Sequence, residues 1–232
     1  HENIVMRAVL SFLDAFGQRA LRANSLHVSL KKRIPCEAGL GGGSSDAAAA
    51  IQVLAGHAGV DPCGEECLAL ARSLGADVPF FLYGGCALMD GYGDRLVERC
   101  PAPHLDFALV KPERGVSARE AYAVFDTLRA SEPPRGDSQA LFCLLGATSG
   151  CLPAPTRIAP LLKNDLEAAS CELVPEIAMI AENMRSCSGV LATVMAGSGS
   201  TVAALCEDAR SSHDLVARFL QSGYWVANVH SI

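Results

Sequence analysis

Near the start of the chain, apolar residues recur at intervals of three and four: Ile4, Val5, Ala8, Val9, Phe12, Leu13 and Phe16. That spacing puts them on one face of an amphipathic helix, predicted from Asn3 to about Arg22. Leu26, Val28 and Leu30 then alternate with polar neighbours, the pattern of a half-buried antiparallel strand, and a turn follows at Pro35. The glycine-rich stretch from Gly39 to Asp46 runs straight into Ala47 to Ala50, Ile51, Val53 and Leu54. Alanine favours helix and Ser or Asp favours a helix start, so a glycine loop feeding a helix that opens at Ser44 is predicted. Asp61 and Pro62 begin another helix, with Leu68, Leu70 and Leu74 as its apolar positions and Gly75 as its end.

Further along, Val78 to Met89, broken by Gly84 and Gly85, reads as one or two short strands, and Phe107 to Val110 as another. Helices are predicted over Ala118 to Leu128, Gln139 to Leu145, Asn164 to Ala169, Pro175 to Arg185 and Asp208 to Gln221. Strands are predicted over Val190 to Met195, Val202 to Cys206 and Tyr224 to Val229. A polar stretch from Ser131 to Ser138 interrupts them. Helices and strands mix without strict alternation, which favours an α+β fold over a doubly wound sheet. A soft boundary near Cys100 to Pro103 divides the 232 residues into two parts, and no internal repeat is visible.

Composition narrows the functional classes. Half of the residues are hydrophobic and 19% are charged, enough apolar surface to bury a core and too little charge for a disordered chain. The net charge of −6, with only four lysines among 19 basic residues, leaves no basic footprint for a phosphate backbone, so nucleic acid is not an expected partner. No apolar run reaches the ~20 residues of a bilayer span, so no membrane partner is expected either. Without a charged leader before an apolar stretch, the expected location is cytoplasmic. The ten cysteines are scattered, with no Cys-x-x-Cys pair, and read as reduced thiols of a cytosolic protein rather than a zinc site or disulfide set. The helical pattern already under way at Asn3 suggests a chain cut at a helix start.

The chemistry concentrates in Pro35-Cys36-Glu37-Ala38-Gly39-Leu40-Gly41-Gly42-Gly43-Ser44-Ser45-Asp46. Glycines permit positive φ and remove side chains, so successive backbone N–H groups can turn toward phosphate oxygens. The following helix adds its free N–H groups and the positive end of its dipole. Ser44 and Ser45 supply hydroxyls for a phosphate or for phosphate-bound Mg²⁺. No lysine follows the glycines, as a Walker loop requires. The half-polar strand before them is also wrong for a dinucleotide fingerprint.

These residues resemble the phosphate-binding signature of the GHMP kinases. The similarity continues, in family order, through Asn3-Ile4-Val5, Lys32-Arg33-Ile34-Pro35, Gly75-Ala76-Asp77-Val78-Pro79-Phe80-Phe81, Gly115-Val116-Ser117, Asn164-Asp165-Leu166-Glu167 and Met195-Ala196-Gly197-Ser198-Gly199-Ser200. It implies a two-lobed α+β fold. Residues 1–100 would form a partial N-terminal ATP-binding lobe and 101–232 the C-terminal lobe. It also implies a small-molecule kinase using ATP and Mg²⁺. The triple glycine followed by two serines points to the member that phosphorylates a cytidine diphosphate sugar alcohol in isoprenoid precursor synthesis. A homoserine or mevalonate kinase, and an inactive nucleotide-binding protein on the same fold, are the alternatives.

The resemblance also assigns roles. Asn3, Lys32, Pro35, Gly39, Leu40, Gly41, Gly42, Gly43, Ser44 and Ser45 would hold the nucleotide. Asp77 would accept the proton of the attacking hydroxyl; by its local sequence it reads equally as a turn or capping aspartate. Gly197, Ser198 and Gly199 would lie near the transferred phosphate and the acceptor, unless they are a plain hairpin turn. Tyr122 would stack on cytosine, unless it is a core tyrosine. Asn3 also reads as a helix cap, Lys32 as a strand-end charge, and Asn164 to Glu167 as a structural helix start. Pro79 is expected to hold Val78 extended, keeping Asp77 on a short, stiff connection. The family's catalytic lysine sits in a Pro-Ala-Lys-x-Asn-Leu motif, which would precede Asn3 and does not occur here. Lys31, Lys32, Lys111 and Lys163 match other positions.

Overall fold

A computed structural model describes residues 3–17, 26–129, 138–146 and 152–231. The predicted helical residues beyond position 17 and the polar stretch 131–137 lie outside them. The chain forms two compact units: His1–Pro35 with Gly41–Cys100, and Cys36–Leu40 with Pro101–Ile232. The chain therefore passes from one unit to the other after Cys100 and at both ends of Cys36–Leu40.

The first unit is mainly helical. Helix α1 (Ile4–Phe16) is capped by Asn3, whose side chain accepts from the Val5 N–H, and it ends at Gly17. Helix α2 (Gly42–Ala58) begins two residues before the predicted Ser44, and α3 (Glu65–Leu74) follows. Ala8, Phe12, Ala47, Ile51, Leu54, Leu68 and Leu74 are buried together, so the predicted apolar faces of these helices meet in one core. Leu26, Val28 and Leu30 are exposed in a segment that joins no sheet. Among the described residues no strand lies alongside to complete a ladder, so the alternation yields no strand. With Val5, Val9, Ala49 and Val53, these three leucine and valine side chains line a cleft of about 340 Å³.

The run Val78 to Met89 corrects the sequence expectation. Val78–Tyr83 is a helix, α4, and only Cys86–Asp90 is a strand, β1. Six apolar residues carry no periodicity that separates strand from helix, and a proline in the first helical turn loses no intrahelical bond. Val78 is accordingly helical rather than extended, and Asp77 is the N-cap, with φ −80° and ψ −14°. Strand β2 (Arg95–Cys100), absent from the sequence reading, pairs antiparallel with β1. Its signal was Gly91 and Gly93, both at positive φ in the connecting turn.

In the second unit, β3 (Asp106–Lys111), β4 (Val190–Met195), β5 (Val202–Cys206) and β6 (Trp225–His230) form an antiparallel sheet in the order β4-β5-β3-β6. The remaining helices are α5 (Ala118–Arg129), α6 (Gln139–Gly146), the short α7 (Pro155–Ile158) with a 3-10 turn at Ala159–Leu161, α8 (Glu167–Leu173), α9 (Glu176–Arg185) and α10 (Ala209–Leu220). Ala108 and Val110 of β3 and Val202, Ala204 and Cys206 of β5 pack with Ile177, Ile180 and Met184 of α9 and Leu215 and Phe219 of α10. The period-two faces of the strands thus meet the three-four stripes of the helices, the α+β arrangement expected. Asp208 caps α10 by accepting from the Ser211 N–H and hydroxyl, and those bonds hold its carboxyl below the usual range.

Candidate functional site

The glycine loop divides at Leu40. In its second half Gly41, at φ +63°, is the N-cap of α2, and no side chain caps this helix end. The first helical bond runs from the Ser45 N–H to the Gly41 carbonyl at 2.8 Å. Helix geometry leaves the preceding N–H groups without a carbonyl one turn back, so this terminus presents donors and positive potential to an anion. The Ser45 hydroxyl donates to the Gly42 carbonyl at 3.0 Å. The Lys32 ammonium pairs with Asp46, and a side chain at Gly42 would meet Ile34 at 2.8 Å and the Lys32 Nζ at 3.5 Å. Lys32 therefore stands beside the first turn of α2, not at an isolated strand end. Gly43 is exposed and faces Ile4, next to the Asn3 cap. Since Asn3 uses its Oδ1 to hold α1, its amide NH₂ is the part left to donate.

Helix α4 ties Asp77 to this loop. A Cβ on Gly41 would strike the Phe81 ring at 2.6 Å, so Gly41 lies under that ring. Asp77 is four residues before Phe81, one helical turn, and so lies on the same side of α4. It is exposed, and although it occupies the N-cap position its side chain makes no capping bond. The capping role open to it in the sequence is not the one it plays.

The first half of the loop packs within the second unit. The Glu37 carbonyl accepts from the Val116 and Ser200 N–H groups, each at 3.3 Å, and the Ala38 carbonyl from the Thr201 N–H at 3.2 Å. A Cβ on Gly39 would fall 2.0 Å from the Ala196 carbonyl oxygen, and one on Gly197 would fall 2.5 Å from the Gly39 oxygen. The motifs around Gly39, Gly115 and Gly197, far apart in sequence, are therefore in backbone contact. Gly197 to Ser200 is not a free hairpin tip.

Three side chains that the sequence reading treated as a helix start, or missed, hold that turn. Asn164 Nδ2 donates to the carbonyls of Met195 and Gly197, both at 2.7 Å, while its Oδ1 accepts from the Leu166 N–H. Glu167 Oε2 accepts from the Met195 N–H at 3.0 Å, and the buried Ser170 hydroxyl donates to the Ser198 carbonyl at 2.9 Å. A polar residue buried in a helix was the available signal, but its partner lies 28 positions away. Asn164→Ala removes two donors and orphans two carbonyls, so it is expected to destabilise the protein by ~1–3 kcal/mol in denaturant titration. Asn164→Asp, which keeps the acceptor and loses the donors, should recover only part of that.

Tyr122 is 56% exposed on α5, whereas the adjacent Ala121 is fully buried, so Tyr122 is not a core residue. Lys111 is buried, and its ammonium donates to the carbonyls of Pro112 and Glu113, which commits it to the backbone. Among the described residues no group of three metal-ligating side chains occurs, and no helix is long and apolar enough to cross a membrane.

The GHMP kinases N terminal domain matches residues 3–85, and the GHMP kinases C terminal domain matches residues 153–224. Over 232 residues the chain is 36% identical to a 4-diphosphocytidyl-2-C-methyl-D-erythritol kinase of Desulfitobacterium hafniense, a match covering 100% of this chain and 76% of that protein. It is 40% identical over 220 residues to the enzyme of the same name from Pelotomaculum thermopropionicum, covering 94% of this chain and 72% of that one. The crystal structure of a 4-(cytidine 5'-diphospho)-2C-methyl-D-erythritol kinase superimposes with a TM-score of 0.79 and 30% identity, covering 99% of this chain and 78% of that one. With both domains matched in order and with identity at this level along its length, the chain belongs to the 4-diphosphocytidyl-2-C-methyl-D-erythritol kinase family of GHMP small-molecule kinases.

Proposed function

We propose that the protein transfers the γ-phosphoryl group of ATP to the 2-hydroxyl of 4-diphosphocytidyl-2-C-methyl-D-erythritol, and that the residues described above carry out that transfer. The observation that carries the reading is the uncapped N-terminus of α2, reached through Gly41 at positive φ and lying beside the exposed, non-capping Asp77 helix. In phosphoryl transfer the protein chiefly positions the groups and stabilises charge. The N–H groups from Gly39 to Ser45, with Pro35 and Leu40 setting the course of the loop, bind the phosphates, and Lys32 adds a positive charge near the same turn. The Asn3 amide donates to the adenosine end. Asp77 accepts the proton of the acceptor hydroxyl as its oxygen attacks phosphorus. Gly197, Ser198 and Gly199 orient the acceptor from the turn held by Asn164.

Mg²⁺ fits this site as a companion of the nucleotide. A hard cation that keeps several waters needs only phosphate oxygens and one or two protein oxygens, and the Ser44 and Ser45 hydroxyls lie at the loop. When bound it neutralises the phosphate charge.

The test is a substrate panel. The full-length gene product, supplied with ATP and either the cytidylyl sugar alcohol, homoserine or mevalonate, is expected to phosphorylate the first. Preference for either of the others would overturn the named acceptor, and binding of ATP with no turnover on any acceptor would favour an inactive nucleotide-binding protein. Tyr122 refines the assay. An aromatic ring stacks on a nucleobase for ~1–3 kcal/mol, and an exposed side chain can be removed without opening the core. Tyr122→Ala should therefore raise KM for the cytidylyl substrate by about tenfold or more, leaving KM for ATP and the melting temperature unchanged. Equal losses for both substrates would remove Tyr122 from the acceptor site.

A further inference from the structure

Among the described residues, two of the scattered cysteines are brought together only by the fold. Cys86 opens β1 and Cys100 closes β2, and the two are directly opposite in the antiparallel register. Both are thiols, both are half-buried, and the Cys100 S–H donates to the Cys86 sulfur at 3.3 Å. Opposed residues of an antiparallel ladder have Cα atoms about 4.5–5.5 Å apart, inside the about 4.4–6.8 Å that a disulfide spans. Closing the sulfurs to bonding distance therefore calls for side-chain rotation and no change of backbone. The pair has no role in the site described above, and no group of three metal-ligating residues among those described includes it.

From this juxtaposition we propose that Cys86 and Cys100 are a reversible dithiol–disulfide site that staples the base of the β1–β2 hairpin. The hairpin has need of a staple. It is the two-stranded sheet of its unit, its register shifts between Leu88 and Met89, and its tip carries the 93% exposed Tyr92. Two strands alone are marginal in water. Cys100 is also the last residue of the first unit before the chain enters the second, so a bridge there fixes the point of exit. Burial and the hydrogen bond to Cys86 push the Cys100 thiol up to about 12, which suits Cys100 to the second, resolving step. The Cys86 thiolate attacks a low-molecular-weight disulfide such as oxidised glutathione, forming a mixed disulfide and expelling one glutathione thiolate. Cys100 then gives up its proton, attacks the Cys86 sulfur and expels the second. Two protein thiols are oxidised, one disulfide is reduced to two thiols, and the protons released are taken up by the departing glutathione or by buffer.

The sequence offers a direct readout, because trypsin places the two cysteines in separate peptides, Ser73 to Arg95 and Cys100 to Arg114, neither containing another cysteine. The native protein is incubated with oxidised glutathione, its free thiols are blocked, and it is digested and weighed. The expected product is the two peptides joined, parting on reduction, with eight of the ten cysteines blocked. In Cys100→Ser the Cys86 peptide should instead retain glutathione, since no resolving thiol remains, and in Cys86→Ser the joined pair should vanish. Recovery of both peptides fully blocked, or of Cys86 and Cys100 joined indiscriminately to other cysteine peptides, would overturn the proposal. Both serine replacements are close in size, and an unchanged melting temperature under reducing conditions shows that they fold.

Discussion

Asp77→Asn in the full-length gene product is expected to cut turnover by about 10²–10⁴-fold, the usual contribution of a positioned general base, while ATP affinity by calorimetry stays close to that of the parent. The structure makes this a clean substitution. Asp77 is exposed and its carboxylate holds no capping bond, so its loss withdraws no support from α4. Asparagine keeps the shape and is itself a good N-cap, so α4 should be retained or slightly strengthened. Phe81, one turn on, keeps its place over Gly41, and the glycine loop has no reason to move. A change confined to kcat with KM for ATP unchanged marks a group that acts in the transition state rather than in binding. Near-normal turnover would return Asp77 to the role of a turn residue, and an equal loss of ATP affinity would make it part of the phosphate cradle.

The helices were legible wherever they were long enough to show a stripe. Phe12 of α1, Ile51 of α2 and Leu68 of α3 are all buried as the apolar pattern of their helices predicts. Short apolar runs were not legible. Val78 to Tyr83 is too brief for a period of 3.6 to differ from a period of 2, and there the proline settled the matter by opening a helix rather than extending the chain. The alternation of Leu26, Val28 and Leu30 failed for a different reason: a strand is a property of two segments, and alternation in one does not supply the other. β2 was missed because Glu98 and Arg99 interrupt its apolar positions, and its partner β1 was itself half misread.

Among the site residues, legibility followed the range of the interaction. The glycine loop announces itself because its chemistry is local: consecutive N–H groups, no side chains, then a helix start. The support of the Gly197 turn does not, because Asn164 acts on carbonyls at Met195 and Gly197, and Ser170 on Ser198. In sequence those residues look like a cap followed by an ordinary helix. The Cys86 and Cys100 thiols were invisible for the same reason, since only the register of β1 and β2 sets them opposite each other.

The glycines of the loop are expected to respond to alanine in opposite ways, and the contrast separates architecture from phosphate binding. At Gly39 the backbone is at φ +72°, and an added Cβ would lie 2.0 Å from the Ala196 oxygen and 2.7 Å from the Gly199 nitrogen. Both obstacles are main chain, pinned by the Asn164, Glu167 and Ser170 bonds, so neither yields cheaply. Gly39→Ala should therefore lower the melting temperature and abolish measurable turnover together. Gly43 is different: it lies in the first turn of α2, it is exposed, and its Cβ would meet only Ile4, at 3.7 Å, an ordinary contact. Alanine in a helix is favoured over glycine by roughly 0.5–1 kcal/mol, so Gly43→Ala should leave stability unchanged or slightly higher. If the phosphates lie against this turn, the added methyl group crowds their approach to the free N–H groups, and ATP affinity should fall by about tenfold, ~1.4 kcal/mol. Calorimetry and thermal unfolding on the two variants are sufficient. Unchanged ATP affinity in Gly43→Ala would show that the phosphates do not lie against the first turn of α2 and would withdraw the loop from the nucleotide site.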